Sequence, residues 1–233
     1  MADDPTRSAP DLVGLDDAAL AAALVGQAAA RAARMRAEGV SARTKENLAD
    51  LVTEADVAAE RLVVDALTRL RPEDGVVGEE GTTRPSRSGR TWVIDPVDGT
   101  YNFATGTLYW CSALALRDAD GVLVGAVEHR GAGESWLAVR GAGTFERGVA
   151  VPPLEDAPLS AVCLATYLHP ARIADPSIRE PWLAATRGAA TMRMLGSGSC
   201  ELAAVAAGRI GAWAQPDVLE WDWLPGKALV EGA

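Results

Sequence analysis

The chemistry of this sequence centres on one stretch, Trp92-Val93-Ile94-Asp95-Pro96-Val97-Asp98-Gly99-Thr100. Its apolar start predicts a strand that carries Asp95 at its end, and Pro96 then forces a turn that returns Asp98 to the same place. Two carboxylates held so close repel each other unless a cation lies between them. Backbone N–H groups at the Gly99–Thr100 turn can point at an anion, and Thr100 adds a hydroxyl. The alternative is a strand that ends in an Asp-Pro turn with a solvated second aspartate.

Two further acidic segments accompany this stretch. Upstream, residues 78–81 read Gly-Glu-Glu-Gly after a short apolar run, which is also compatible with a charged surface turn. Downstream, Asp222 stands between Trp221 and Trp223, and a buried carboxylate in such company needs a partner. Asp222 also begins a helical pattern, so a helix-capping role stays open for it.

Together the acidic segments supply the ligands that Mg²⁺ prefers, which are oxygen atoms in octahedral geometry completed by water and substrate. Two such ions about 3.5–4 Å apart can activate a water and stabilise the leaving oxygen of a phosphate ester. The two histidines, His129 and His169, have no acidic or cysteine partners at ligand spacing, which disfavours zinc. We therefore predict an all-carboxylate magnesium site that can activate water for an in-line displacement.

Composition and charge restrict the partners of the protein. The formal net charge of −10 argues against nonspecific nucleic-acid binding, which depends on Lys and Arg. Three separated cysteines form no disulfide framework, so a reducing compartment is expected, and Cys200 is expected to be a packing residue. No apolar run approaches the ~20 residues of a membrane span, and the acidic N-terminus is unlike a signal peptide. We predict a cytoplasmic protein without nucleic-acid or membrane partners.

The hydrophobic pattern changes along the chain from helices to strands and then to alternation of the two. Predicted helices cover 18–38, 53–70, 176–187 and 199–207, and predicted strands cover 76–78, 91–94, 109–117, 122–128, 135–140, 144–146, 161–166, 190–194 and 210–215. Thr53 and Asp56 form a candidate capping box, and the polar segment 82–89 is expected to be a mobile loop. Pro152-Pro153 divides an N-terminal α+β subdomain, 1–151, from a C-terminal α/β subdomain, 152–233, in one layered α/β (α+β) unit.

Several segments, in order, resemble the signatures of the inositol monophosphatase family. They are Gly78-Glu79-Glu80, WVIDPVDGTYNF over 92–103, LGSGSCELAAVAAG over 195–208, EWDWLPG over 220–226, and Lys45 with the segment 50–56. The resemblance runs from about residue 12 to the end of the chain, and its DPxDGT motif is highly specific. It implies a metal-dependent phosphomonoesterase with a layered αβαβα sandwich of the inositol monophosphatase and fructose-1,6-bisphosphatase type.

The resemblance also implies ligands and roles. It implies two or three Mg²⁺ ions per site, replaceable by Mn²⁺ and inhibited by Li⁺, and a homodimer. The implied metal ligands are Glu79, Asp95, the carbonyl of Val97, Asp98 and Asp222. The implied catalytic residues are Glu79 and Thr100, which orient and deprotonate the attacking water, with Asp56 and Thr53 supporting them. The implied substrate-binding residues are Asp98, Gly99, Thr100, Gly196, Ser197, Gln215, Asp222 and Lys45.

This sequence departs from the family pattern around the organic half of the substrate. Gln215 stands where inositol phosphatases carry a glutamate that binds the inositol hydroxyls, and 223–226 replace the usual small residues. The family's C-terminal strands and helix are absent, so a truncated C-terminal part is expected. The resemblance favours an inositol-1-phosphate-type substrate, with histidinol phosphate as the main rival, then sugar bisphosphates and adenosine 3′,5′-bisphosphate.

Two other classes of function remain to be weighed. A haloacid-dehalogenase type of phosphatase is rejected, because two residues rather than one separate Asp95 from Asp98. A non-catalytic descendant that binds a metabolite or a partner is disfavoured, since the acidic residues and Thr100 are all retained.

Overall fold

The computed structural model describes residues 12–39, 42–44 and 51–233, with only the backbone described at 42–44 and 51–53. Its helices are α1 (Asp17–Glu38), α2 (Glu54–Leu70), α3 (Thr100–Ala104), α4 (Pro176–Thr186), α5 (Gly198–Ala206) and α6 (Glu220–Glu231). Its strands are β1 (Ala42–Thr44), β2 (Leu51–Thr53), β3 (Gly75–Gly78), β4 (Thr83–Arg84), β5 (Thr91–Asp98), β6 (Cys111–Asp118), β7 (Gly121–His129), β8 (Glu134–Val139), β9 (Gly143–Glu146), β10 (Val149–Ala150), β11 (Cys163–Thr166), β12 (Thr191–Arg193) and β13 (Ala212–Ala214).

The largest sheet has the strand order β10-β9-β8-β7-β6-β5-β3-β4. From β5 to β10 the neighbours are antiparallel and follow one another in the chain, whereas β3 pairs with β5 in parallel. Parallel neighbours cannot be joined by a hairpin. The chain therefore runs back along β4, which is antiparallel to β3, before β5 begins. As a result the ends of β3 and β5, with the acidic residues that follow or close them, lie side by side.

One face of this sheet is covered by α1 and α2. Leu20 and Leu24 of α1, which are spaced by one helical turn, pack in one core with Val63 and Leu67 of α2. Trp92 of β5 belongs to the same core and is fully buried, together with Ile94, Leu114 and Leu116. Alternation along β5 therefore directs Trp92 and Ile94 to this face and leaves Val93 and Asp95 for the other face.

The opposite face is covered by α5 and α6, and a second sheet lies beyond them. Cys200 and Ala203 of α5 and Leu224 and Leu229 of α6 share a core with Val93 and other strand residues. Val205 of α5 packs with Ala165 of the small parallel sheet, whose order is β12-β11-β13. Trp182 of α4 donates to Thr166 Oγ1 at 2.8 Å on the far side. The layers are thus αβαβα, as the resemblance implied.

Residues 82–89 were predicted to be a mobile loop, and the structure differs at 83–84, which pair with β3, whereas 85–89 have no regular structure. Ser88 donates to the buried Asp74 at 2.7 Å. Asp74 also accepts from Arg90 at 2.8 Å and from Trp92 Nε1 at 2.9 Å. Ser88 and Arg90 thus tie the end of this segment to a buried carboxylate.

Two further predictions concern the start of α2 and the division of the chain into subdomains. The helix predicted to begin at Thr53 begins at Glu54, and Thr53 ends β2. The change of sheet falls between Ala150 and Cys163, around Pro152-Pro153, yet α6 packs back on the large sheet, so the division into 1–151 and 152–233 stays a prediction. Within the described ranges, none of the helices combines the length and the apolar character that crossing a membrane requires.

Candidate active site

Asp95 lies within β5 rather than at its end, because the strand continues to Asp98. The register between β5 and β6 shifts between Asp95 and Asp98, so the strand bulges at Pro96, whose carbonyl accepts from Ser112 Oγ at 2.6 Å. The bulge adds one residue to the alternation and brings Asp98 back to the face of Asp95. Asp95 is 2 % exposed, and its Oδ1 has no hydrogen-bond partner among the described residues.

The chain then turns sharply into α3 at Gly99. Gly99 has a φ of 95°, in the left-handed region, and a Cβ added there would lie 3.0 Å from Gly196 O and 3.1 Å from Tyr109 O. Only glycine combines this conformation with such close backbone contacts. The N–H groups that open α3 therefore lie directly against the bulge that holds both aspartates.

Asp98 is fixed by the beginning of α5. Its carboxylate accepts from Gly198 N at 3.2 Å and from Ser199 N at 2.5 Å, which are N–H groups at the positive end of the helix. Burial raises the pKa of Asp98 well above its usual range, and the proximity of Cys200 adds to the shift while Ser199 opposes it.

Asp222 is brought to the same place by the packing of α6 on α5. A Cβ added to Gly198 would lie 2.6 Å from Asp222 O, so the two helix starts are in backbone contact. Asp222 Oδ2 accepts from Leu219 N at 2.8 Å, and the side chain therefore also caps α6. Burial raises the pKa of Asp222.

Glu79 follows β3 and lies beside β5, since Glu79 N donates to Ile94 O at 3.2 Å. Its turn is organised by Glu60 of α2, which is buried and accepts from Glu80 N at 2.8 Å and from Thr82 Oγ1 at 2.6 Å. Gly78 is required because a Cβ at that position would collide with the Glu60 carboxylate. Sequence reasoning missed Glu60, because a buried acid on α2 leaves no local pattern that shows which groups it contacts.

The acidic side chains act on one another. Burial raises the pKa of Asp95 well above its usual range, and the charges of Glu79, Asp98 and Asp222 raise it further. Four acidic groups from separate parts of the chain thus meet in one low-dielectric volume. Their convergence was predicted from the sequence, whereas their roles as metal ligands stay predictions.

Thr100 connects the bulge to α2. Its hydroxyl lies 3.1 Å from Asp56 Oδ1 and 3.0 Å from Val97 O, both acceptors. Asp56 is fully buried in the first turn of α2. The hydroxyl proton therefore points toward one of these oxygens, and the oxygen of Thr100 keeps a lone pair that can accept a hydrogen bond from a molecule in the cleft.

These groups line a cleft of about 590 Å³. Its lining includes the acidic residues with their neighbours, Glu79, Asp95, Val97, Asp98, Gly99, Thr100 and Asp222, and also Tyr101, Tyr167, Met194, Gly196, Ser197 and Gln215. The structure therefore places every predicted substrate-binding residue in this cleft except Lys45, which lies outside the described residues. The side chain of Thr53 is also undescribed, so the roles predicted for these two residues stay predictions.

Two polar residues that the sequence did not reveal hold the far wall of the cleft. Asn102 of α3 donates to Leu195 O at 2.7 Å and to Tyr109 O at 2.9 Å. Glu201 of α5 is buried and accepts from Leu195 N at 2.8 Å and from Trp213 Nε1 at 3.0 Å. Burial raises the pKa of Glu201 to about 7 although these donors favour its charged form.

Two cysteines and a histidine meet behind Asp98. Cys111 and Cys200 are in side-chain contact, and His129 contacts Cys200. Burial raises the pKa of Cys111. Burial also opposes ionisation of Cys200, but its hydrogen bonds with Cys111 and His129 lower its pKa to about 6. His129 was set aside in the sequence analysis, and Cys200 packs in the core as expected while also forming this cluster.

The acidic end of the cleft fits a hard divalent cation. Its donors are carboxylate oxygens and a carbonyl, it repels itself without a counter-charge, and it contains the orphaned Asp95 Oδ1. In the structure the carboxylates of Asp98 and Asp222 accept hydrogen bonds from backbone N–H groups. Across the described ranges no three His, Cys, Asp or Glu side chains are spaced to hold an ion. The chemistry of the donor set nevertheless matches Mg²⁺ rather than zinc.

Comparisons with known proteins agree on one family. The model of the inositol monophosphatase family matches residues 12–233. The chain is 30% identical to the Inositol-1-monophosphatase of Bacillus subtilis over 88% of this chain and 78% of that protein. It is 36% identical to the Histidinol-phosphatase of Mycobacterium tuberculosis over 89% of this chain and 81% of that protein. Its fold matches the solved structure of a Thermotoga maritima IMPase with a TM-score of 0.81 and 25% identity, covering 94% of this chain and 84% of that one.

Proposed function

The chain belongs to the inositol monophosphatase family and is a phosphoric monoester hydrolase, and from that premise we propose that it releases phosphate from a small metabolite with the help of Mg²⁺. The observation that carries this proposal is the convergence of Glu79, Asp98 and Asp222 around the buried Asp95. The proposed metal ligands are Glu79, Asp95, the Val97 carbonyl, Asp98 and Asp222. When bound, Mg²⁺ would activate water as a Lewis acid and neutralise charge on the phosphoryl and leaving oxygens.

The chain's own residues would orient and deprotonate the attacking water. Thr100 Oγ1 can accept a hydrogen bond from a water in the cleft and, as it takes that water's proton, pass its own proton to Asp56 Oδ1. Glu79 lies beside Asp95 on the same wall and can accept a second hydrogen bond from that water. The lone pair of the water is thereby left to face the phosphorus atom. Thr53 is proposed to support this arrangement.

The phosphate and the alcohol would occupy different walls of the cleft. The N–H groups of Gly99 and Thr100, which open α3, are proposed to bind the phosphate oxygens. The organic part would then face Gly196, Ser197 and Gln215, with Asp222 at the boundary between the two halves. Lys45 is proposed to lie at the entrance. Asp95 and Asp98 are buried at the bulge of β5, and this burial strengthens the polar contacts that they make.

An inositol-1-phosphate-type substrate is the first candidate, because several relatives carry that name, among them the one in Bacillus subtilis. Histidinol phosphate is the second candidate. It is favoured by the neutral Gln215 in the cleft and by the relative in Mycobacterium tuberculosis named Histidinol-phosphatase. Replacement of Mg²⁺ by Mn²⁺, inhibition by Li⁺, a homodimeric state and a cytoplasmic location are further parts of the proposal.

A phosphate-release screen tests the proposal directly. The purified chain is assayed with inositol 1-phosphate, histidinol phosphate, fructose 1,6-bisphosphate and adenosine 3′,5′-bisphosphate, each with Mg²⁺ and with EDTA. We expect release that requires the metal and is fastest with one of the first two substrates. Release that is equal with EDTA would refute the dependence on metal, and no release from any of the four esters with Mg²⁺ would refute the hydrolysis and favour a binding role.

A further inference from the structure

Cys111 and Cys200 form a pair of thiols that the proposed hydrolysis does not use. Cys111 begins β6 and Cys200 lies in the first turn of α5, 89 positions later in the chain. Their side chains are in hydrogen-bond contact in the core between the large sheet and α5. A packing role alone does not require two thiols to face each other, since any small apolar pair would fill the same volume.

The pair is directly attached to the active site. Cys111 Sγ lies 3.9 Å from Asp98 Oδ2 and 3.7 Å from Ser197 Oγ, which caps α5. Ser199, the residue before Cys200, donates its N–H to the same Asp98 carboxylate. A shift of the Cys111 sulfur therefore alters its contact with Asp98, and a shift of Cys200 alters the position of the Ser199 N–H that binds Asp98.

The pair also has an activating neighbour. His129 contacts Cys200, and an imidazole beside a thiol favours the thiolate that peroxides attack. The His129 ring is only partly buried and stacks edge-on against Tyr109 at 5.3 Å, which is also partly buried. Cys200 itself is 3 % exposed, so a small oxidant such as hydrogen peroxide would have to reach it past its partly buried neighbours.

We propose that Cys111 and Cys200 are an oxidation site, joined into a disulfide by a hydroperoxide, and that the bond reversibly disables the phosphate-releasing site. The Cys200 thiolate attacks the peroxide and becomes a sulfenic acid, and the O–O bond breaks to release the other oxygen as water after protonation. The Cys111 thiol then attacks the sulfenic sulfur, forms the S–S bond and expels a second water. Two thiols lose two electrons in total, and the peroxide gains them. A dithiol reverses the reaction.

Closure of this bond alters the position of Asp98. The two sulfur atoms must approach to about 2.05 Å from non-bonded contact, so Cys111 withdraws from Asp98 and the start of α5 moves toward β6. The N–H of Ser199 moves with α5, and the carboxylate that it holds loses its alignment. Partners that orient a ligand typically change metal affinity or activity 10–100-fold, so we expect roughly tenfold or greater loss. A disulfide of this kind is compatible with a reducing compartment, where such bonds are transient.

The experiment treats the full chain with hydrogen peroxide, without reductant, and follows activity and covalent state together. Trypsin places Cys111 in peptide 91–117, Cys200 in peptide 194–209 and Cys163 in peptide 148–172. We expect a loss of two hydrogens in mass, a joined pair of peptides 91–117 and 194–209, and a parallel fall in activity that dithiothreitol restores. The peptide map needs no substrate, so it stands apart from any failure of the proposed function.

The third cysteine supplies a matched control. Cys163 lies in β11, away from the cleft, and C163S should lose activity under peroxide as the wild type does. C111A and C200A should each resist inactivation, and if either fails to fold, the wild-type peptide map and its reversal by dithiothreitol decide alone. Inactivation without joined peptides, inactivation of C111A and C200A equal to the wild type, or a joined pair with full activity would each overturn the proposal.

Discussion

At the scale of single residues, Asp95 shows how a site can be costly to the fold that carries it. It is buried, one of its oxygens lacks a partner among the described residues, and neighbouring acids raise its pKa. D95N keeps the shape and removes the charge, so it should lower phosphate release by several kcal/mol of transition-state stabilisation, roughly a thousandfold or more. The same change should leave the unfolding temperature of the metal-free protein equal or higher, since a repulsive buried charge is lost.

Activity and unfolding temperature measured on the same preparation separate these two effects. D120N in the exposed turn before β7 removes an aspartate of the same type far from the cleft and should change neither quantity. Near-normal turnover of D95N would show that Asp95 binds no metal.

The hydroxyl of Thr100 can be tested without disturbing the backbone. T100V preserves the side-chain volume and the N–H proposed to bind phosphate, but it removes the bonds to Asp56 and to the Val97 carbonyl. Loss of proton transfer should lower kcat roughly 10²–10⁴-fold and leave KM nearly unchanged. T105V, which removes the hydroxyl bond to Tyr101 O at the end of the same helix, is the control. A rise in KM with constant kcat would assign Thr100 to binding instead.

Glu201 should make stability depend on pH in a defined direction. Its pKa is raised by burial to about 7, whereas an unperturbed glutamate has a pKa of about 4.3. Between these values the folded protein keeps a proton that the unfolded chain has released, so the free energy of unfolding falls as pH rises. E201Q cannot titrate, and the wild type should lose about 2–3 kcal/mol relative to it between pH 5 and pH 8. Urea denaturation at both pH values measures the difference, which a constant offset would contradict.

The residues found and missed from the sequence differ in the kind of information they leave. Asp95 and Asp98 were recognisable because a strand, a proline and two aspartates form a pattern within a few positions. Glu60, Asn102 and Glu201 contact backbone groups 20, 93 and 6 positions away, each through a single polar side chain. A lone buried polar residue leaves no local pattern, so only the folded chain shows what it contacts.

At the scale of elements, the position of Asp222 depends on how closely α6 approaches the sheet. A Cβ added to Gly125 of β7 would lie 2.5 Å from Pro225 O and 2.5 Å from Ala228 Cβ. G125A should therefore displace α6 and lower the free energy of unfolding by about 1–3 kcal/mol. Because Asp222 lies one turn before this contact, the Mg²⁺ concentration for half-maximal activity should also rise.

A matched glycine elsewhere controls for this prediction. Gly26 lies within α1, where an added Cβ meets nothing within 4 Å. G26A should raise the free energy of unfolding by about 0.5–1 kcal/mol through helix propensity and leave the Mg²⁺ dependence unchanged. If G125A and G26A need the same Mg²⁺ concentration for half-maximal activity, the packing of α6 does not control metal binding at the site.

The elements were predictable where local chemistry decides them. Helix α1 was predicted over 18–38 and observed as Asp17–Glu38, because Asp16 caps it with its side chain and Gly39 ends it. In the segment 82–89 the pairing of Thr83–Arg84 with β3 and the bond of Ser88 to Asp74 were not predicted, because both partners lie outside the segment. Asp74 itself carries no sign in the sequence that it is buried.

At the scale of the whole molecule, the order of layers was implied by the resemblance and not by the periodicity. The strand pattern suggested a layered α+β or α/β unit, but it could not show that β3, rather than β4, lies next to β5 in the sheet. That crossover is what places Glu79 next to Asp95. The site therefore depends on the pairing of β3 with β5, which are not consecutive strands. The sequence indicates this pairing only through the acidic motif at the end of each strand.

The same assembly should make the stability of the whole chain depend on divalent metal. The formal net charge is −10 and four acids share the cleft, so an ion bound only by the folded state stabilises it by mass action. At a free Mg²⁺ concentration of 100 times Kd the gain is about 2.7 kcal/mol, which corresponds to roughly 5–10 °C in the unfolding temperature of a chain this long. NaCl at equal ionic strength screens the net charge without filling the site and should give a much smaller shift. Since D95N lowers the net negative charge by only one unit, an equal Mg²⁺ shift in D95N and wild type would mean that the metal acts by screening, and the carboxylates would then have no cation to hold.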